Sequence, residues 1–147
     1  MPGPLTEQES QQFLAEPRVG VVSVAADEGR PPLAVPVWHH YEPGGLLTFF
    51  TSTQGRRARK VRLIEAAGVV TFTVQHPEPP YKYVMVEGTI VDADRSPAEE
   101  DVVAIVRRYL PEEMARRFAA AELGRENREF VLYRVRPDRF VSFDFGD

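Results

Sequence analysis

Cysteine is missing from this chain of 147 residues. That excludes disulfides, thiolate zinc sites and thiol nucleophiles, and it fits a cytoplasmic protein. Histidine is scarce at three residues, and His39 and His40 are adjacent. Neighbours in a strand point to opposite faces, so these histidines make poor metal ligands and no metal site is expected. No run of 18 apolar residues occurs, so no membrane-spanning helix is expected. The opening MPGPLTEQES has neither a basic n-region nor an apolar h-region, and it is not read as a secretory signal. Positive charge is in deficit, with 18 Lys and Arg against 22 Asp and Glu. A broad basic surface for nucleic acid is therefore not expected.

What is there reads as one domain, residues 1–147, made mainly of short strands. Thr6 to Ala15 reads as a helix, with Thr6 and Glu9 forming a capping box. RVGVVSVAA (18–26), LAVPVWHHY (33–41), LLTFFTS, GVVTFTVQ (68–75) and YKYVMVEGTIVDAD (81–94) read as strands, separated by DEGRPP, EPGG and HPEPP. SPAEEDVVAIVRRYL reads as a helix with Ser96 as N-cap and Pro97 in the first turn. A second helix covers Pro111 to Leu123 and ends at Gly124. REFVLYRVRP and RFVSFDF close the chain as two strands. The pattern is that of a small antiparallel barrel with helices outside it.

The scarce positive charge is concentrated. Arg56, Arg57, Arg59, Lys60 and Arg62 fall within seven positions, after TSTQG. Ala58, Val61 and Ile64 recur at helical spacing, so residues 55–67 read as a helix with Ser52 or Thr53 near its N-cap. Arg56 and Arg57 then sit in the first turn, where the helix dipole disfavours cations. A bound anion resolves that conflict. Free backbone N–H groups, the hydroxyls of Thr51 and Ser52 and two guanidinium forks make a phosphate cradle. Arg59, Lys60 and Arg62 read as a solvated helix face. Pro36 marks a strand edge or a bulge, and Trp38 beside it is placed either to stack on a planar ring or to fill a core.

Three segments, AVPVWHHY, LTFFTSTQGRRARKVR and above all PPYKYVMVEGTIVDAD, carry a resemblance in their order and spacing. The chain resembles the flavin- and deazaflavin-binding split β-barrels of the pyridoxamine 5'-phosphate oxidase-like superfamily. The similarity spans about residues 18 to 94 and continues more weakly through RRYL and the last strands. It is strongest toward the actinobacterial branch that uses the deazaflavin coenzyme F-420.

The resemblance implies a mainly β (α+β) fold: a six-stranded Greek-key split β-barrel with short flanking helices. It also implies a homodimer with two cofactor sites at the subunit interface. Arg56 and Arg57 match the family's phosphate-binding basic pair. Thr51 and Ser52 match the hydroxyl positions that end the preceding strand. Val35, Pro36, Val37 and Trp38 match the strand bordering the tricyclic ring. Lys60, where the family often has Asn, is counted with them. Tyr81 and Tyr83 would reach the site from the partner copy. Tyr83 stands where the vitamin-processing oxidases use Gln, and RPDRFVSFDFGD lacks their Trp and Arg pattern, so pyridoxamine phosphate oxidation is not expected.

The activity implied is hydride transfer between F-420 and a small organic substrate. The alternatives are an FMN oxidoreductase and a non-enzymatic flavin or haem carrier on the same fold. No catalytic acid–base pair is identified. At most one of His39 and His40 faces the ring strand, and a half-exposed polar strand end accounts for both. Residues 81–91 carry apolar side chains on both strand faces. One barrel has one interior, so the second face is expected to pair with another copy.

Overall fold

The chain enters the fold through α1 (Glu7–Ala15), capped as its sequence requires. The Thr6 hydroxyl accepts from the Glu9 N–H at 3.1 Å, and the Glu9 carboxylate accepts from the Thr6 N–H at 2.9 Å. In this computed structural model, which describes residues 1–53, 59–125 and 129–147, one seven-stranded antiparallel sheet follows. Its strands are β1 (Gly20–Val24), β2 (Leu33–Val37), β3 (His39–Tyr41), β4 (Leu47–Thr53), β5 (Val69–Gln75), β6 (Lys82–Asp94) and β7 (Glu129–Asp144). The helices α2 (Arg59–Ala67), α3 (Glu99–Val106) and α4 (Glu112–Leu123) complete the described elements.

The spatial order is β2-β1-β5-β6-β7-β4-β3. β2 and β3 occupy opposite ends of that order, yet only Trp38 separates them in sequence. The sheet must therefore curl until its two ends approach, which gives a half-barrel. The fold is mainly β with flanking helices, as expected, with seven strands in place of six. LAVPVWHHY is two strands because the chain changes sheet ends at Trp38. The closing segment is one strand, not two. Gly88 pairs with Pro137 and Glu87 with Arg139, so Asp138 is the extra residue of a bulge that carries the strand past Pro137.

Two apolar cores result. The barrel interior is filled by inward residues such as Phe49, Phe72, Val84, Val86 and Tyr133, with Val61 and Ile64 of α2 and Phe13 and Leu14 of α1 closing it. The second core lies outside, where Val102, Ile105 and Val106 of α3 and Ala115 and Ala119 of α4 cover Phe130 and Leu132 of β7. α3 begins later than its sequence implies. Ala98 is its N-cap with no side-chain bond, while the Ser96 N–H donates to Asp94 in a tight turn. Three carboxylates in the first turn, Glu99, Glu100 and Asp101, favour the helix dipole in place of that cap.

Candidate functional site

The curl of the sheet leaves a gap. β3 is three residues long and pairs only with Leu47–Phe49 of β4. From Phe50 to Thr53, β4 is bonded to β7 on one side and, among the described residues, to no strand on the other. β2 is likewise bonded to β1 alone. Two strand edges without a strand partner among the described residues thus face each other across a cleft of about 290 Å³. Pro36 lies on one of these edges, where its missing N–H is tolerated.

One wall is Val35, Pro36 and Val37 of β2 with Val19 ahead of β1; the other is Phe50, Thr51 and Ser52 of β4. Trp38 forms the closed end. Its indole stacks on Tyr109 (5.1 Å between centroids, 8° between planes) and meets Phe118 of α4 at 5.8 Å. Half-buried and lining the cleft, it serves both as an edge of the outer core and as a cleft surface. Lys60, at the start of α2, supplies a cation to the lining. The cleft is therefore apolar toward Trp38 and polar toward α2.

The hydroxyls of β4 differ. Thr51 lines the cleft and is 3% exposed, and its Oγ1 has no hydrogen-bond partner among the described residues. A buried hydroxyl without a partner is costly, so a ligand polar group there would stabilise it. Ser52 is half-buried and donates to Glu122 Oε2 of α4 at 2.9 Å. Its hydroxyl proton is thus directed to a carboxylate; the helix start for which Ser52 or Thr53 is read as a cap lies outside the described residues. Arg56 and Arg57 lie outside the described residues, as does the helix turn assigned to them from sequence.

Tyr81 and Tyr83 are not in this cleft. Tyr83 lies at the start of β6 and Tyr81 just before it, three strands from β2 in the sheet order, with Tyr81 53% exposed and Tyr83 half-buried. His39 is not there either. It is buried in the barrel, where Nε2–H donates to the Leu14 carbonyl (2.8 Å) and Nδ1 lies 3.1 Å from the Tyr109 hydroxyl. That hydroxyl also donates to the Arg18 carbonyl (2.8 Å) and accepts the His39 backbone N–H (3.1 Å). Desolvation, aided by the nearby Arg108 charge, pushes the His39 pKa down to about 4. His39 is thus a neutral structural group. His40 is half-buried, with its pKa also lowered by desolvation, and lies 3.9 Å from Glu42.

Larger hollows of about 380 and 490 Å³ surround α1 and the end of β7. They hold none of the candidate site residues, and charges around them pair, as in Lys82–Asp144 (3.7 Å) and Arg18–Glu16 (3.3 Å). Among the described residues no three His, Asp or Glu side chains are grouped to hold a metal ion, and no helix is long and apolar enough to cross a membrane.

A model of the pyridoxamine 5'-phosphate oxidase family matches residues 6–141. Among solved structures, an F-420 reductase superposes with a TM-score of 0.68 at 26% identity, over 88% of this chain and 94% of that one. A FAD-binding protein from Mesorhizobium loti gives 0.64 at 17% identity, covering 98% of each chain. General Stress Protein 26 from Bacillus anthracis gives 0.61 at 16%, covering 92% of each. The last two establish likeness of fold alone. A search of curated proteins finds no significant match. With a model matching nearly its whole length, the chain belongs to the pyridoxamine 5'-phosphate oxidase family.

Proposed function

We propose that the protein is an oxidoreductase that transfers a hydride between coenzyme F-420 and a small organic substrate. The observation that carries this reading is the cleft between the facing edges of β2 and β4, apolar at Trp38 and polar at α2. A planar tricyclic ring joined to a phosphate has that same polarity. The residues present fit the group: strand edges that no described strand covers for the ring's polar rim, the Thr51 hydroxyl, without a partner among the described residues, and Lys60 toward the anionic end. Likeness to an F-420 reductase favours the deazaflavin over FMN. When bound, the deazaflavin supplies the hydride chemistry.

The chain's own part is binding, orientation and exclusion of water. Val35, Pro36, Val37 and Trp38 border the ring. Thr51, Lys60, Arg56 and Arg57 hold the anionic portion. No side chain here is assigned a proton. Tyr81 and Tyr83 are too far around the sheet to reach the cleft of their own copy, so they take part only in a dimer.

Separate fluorescence titrations with F-420 and with FMN test the reading. Saturable F-420 binding at least tenfold tighter than FMN is expected. Replacing Arg56 and Arg57 together by Ala should weaken F-420 by about 2–5 kcal/mol, as loss of charge-assisted contacts does. Tight stoichiometric FMN that survives dialysis would transfer the proposal to an FMN enzyme. Absence of binding by either would end it.

A further inference from the structure

Trp38 closes the cleft, yet no strand ladder fixes how its indole lies. The pairing of β2 ends at Val37 and that of β3 begins at His39, so Trp38 stands outside both, where the chain crosses between the ends of the sheet. The indole is half-buried and lines the cleft. A side chain in that position samples several rotamers unless a neighbour removes the choice.

Tyr109 removes it. Its ring lies parallel to the indole and covers one of its faces, 5.1 Å away between centroids and 8° between planes. Tyr109 is itself anchored at both ends. Its backbone N–H donates to the Val106 carbonyl at 3.0 Å, and Val106 is fully buried in the outer core. A tyrosine hydroxyl has one proton and can also accept. Here the proton goes to the Arg18 carbonyl at 2.8 Å, and the oxygen accepts the His39 N–H at 3.1 Å. Arg18 directly precedes Val19 and His39 directly follows Trp38, and both Val19 and Trp38 line the cleft. Tyr109 is not among the lining residues. From behind, one side chain ties the backbone beside two of them and stacks on one.

We infer that Tyr109 is a positioning residue for the cleft: it holds the Trp38 indole in one orientation before a ligand arrives, so that a planar ring meets a preset surface. Holding a contact surface in its bound form in advance lowers the ordering cost of binding. The consequence for the cofactor rests on reading the cleft as the cofactor site; the placement of the indole does not.

Trp38 is the single tryptophan of the chain, so its emission reports on this contact. Tyr109→Leu removes ring and hydroxyl, and Tyr109→Phe removes the hydroxyl alone. In the ligand-free protein, Tyr109→Leu should move the Trp38 emission to longer wavelength and lower its anisotropy. Titration with F-420 and with FMN, followed by the ligand's own fluorescence, should show binding weakened about tenfold, as loss of an aromatic stack does. In a Trp38→Ala background there is no indole to place, so adding Tyr109→Leu should change affinity by no more than about twofold. That non-additivity separates positioning through Trp38 from a general loss of packing. Tyr109→Phe should act in the same direction, by about fivefold, and it carries the same cycle if Tyr109→Leu melts early. Equal weakening with and without Trp38 would overturn the inference, and so would an unmoved emission. A wild-type protein that binds neither ligand would remove the cofactor reading. The emission of the ligand-free variants then decides alone, a shift upholding the placement of the indole by Tyr109 and its absence overturning it.

Discussion

Burial holds the imidazole of His39 neutral, and this makes folding sensitive to acid. In the unfolded chain its pKa returns to 6.5, whereas in the fold it lies at about 4. Between those values the unfolded state binds the additional proton. The stabilisation is fully present above pH 6.5 and is lost as pH falls toward 4. A gap of that size corresponds to about 3 kcal/mol. His40, lowered in the same direction, adds to the trend. Urea unfolding at pH 7.5 and pH 4.5 should show this loss, and His39→Gln, which keeps a donor for the Leu14 carbonyl but does not titrate, should flatten it. A variant as pH-sensitive as the wild type would assign the effect elsewhere. Sequence alone left His39 open because adjacency shows that His39 and His40 face opposite ways but not which of them is inside. It did bring together Val35 to Trp38, Thr51, Ser52 and Lys60, which line one cleft. Val19, Phe50 and Phe118 were not legible. They reach that cleft through tertiary packing, which leaves no local sign in the sequence.

At the scale of elements, one glycine joins two strands. Gly88 lies at a register shift of β6 against β7. A Cβ there would stand 2.4 Å from Val135 Cγ1 and 3.0 Å from the Arg136 carbonyl oxygen. The glycine of VMVEGTI thus serves close strand packing. Gly88→Ala should destabilise by about 1–3 kcal/mol, as overpacking does, with only partial recovery when Val135→Ala is added, because the carbonyl stays in place. Denaturant midpoints of the three variants check this; a neutral Gly88→Ala would show that the sheet relaxes. The strands themselves were legible, since alternation and turn residues mark them. Their breaks were not. Residues 33–38 run apolar without a break into His39, His40 and Tyr41, and no turn residue at Trp38 shows that the chain changes sheet ends there. Pro137 marks an apparent stop that a bulge absorbs, with Asp138 held by the Thr89 hydroxyl at 2.6 Å and by Arg136. Ser96 matches a capping box, but a competing Asp94 turn takes its backbone.

For the molecule as a whole, the outer surface of the barrel divides into two regions. α3 and α4 cover the outer face of β4 and the first half of β7. Across β1, β5, β6 and the second half of β7 the outer-face residues Thr73, Tyr83, Met85 and Val141 stay partly exposed, outside the core that α3 and α4 build among the described residues. Register places Tyr83 opposite Phe143 and Met85 opposite Val141, and opposed residues share a face. Met85 also lies opposite Thr73, Thr73 opposite Val21, and Val21 opposite Pro36 at the cleft. Tyr81, Val21 and Phe145 are 53%, 38% and 54% exposed. An apolar strip that reaches the cleft rim suits a twofold pairing of the same surface, which buries it in both copies. That pairing also offers Tyr81 and Tyr83 a route to a cleft from which they are remote in their own chain. Sedimentation at micromolar concentration should therefore give a dimer, and Met85→Glu should shift it to monomer and weaken cofactor binding together. Sharing has its own test, because Lys60→Glu and Tyr83→Ala damage opposite halves of one site. Each variant alone should bind poorly. After subunit exchange at equal amounts, half of the dimers are hybrids with one intact site each, so about a quarter of the sites should recover. No recovery, despite proven exchange, would place Tyr83 outside the site. A monomer that binds cofactor at full affinity would remove both the assembly and the sharing.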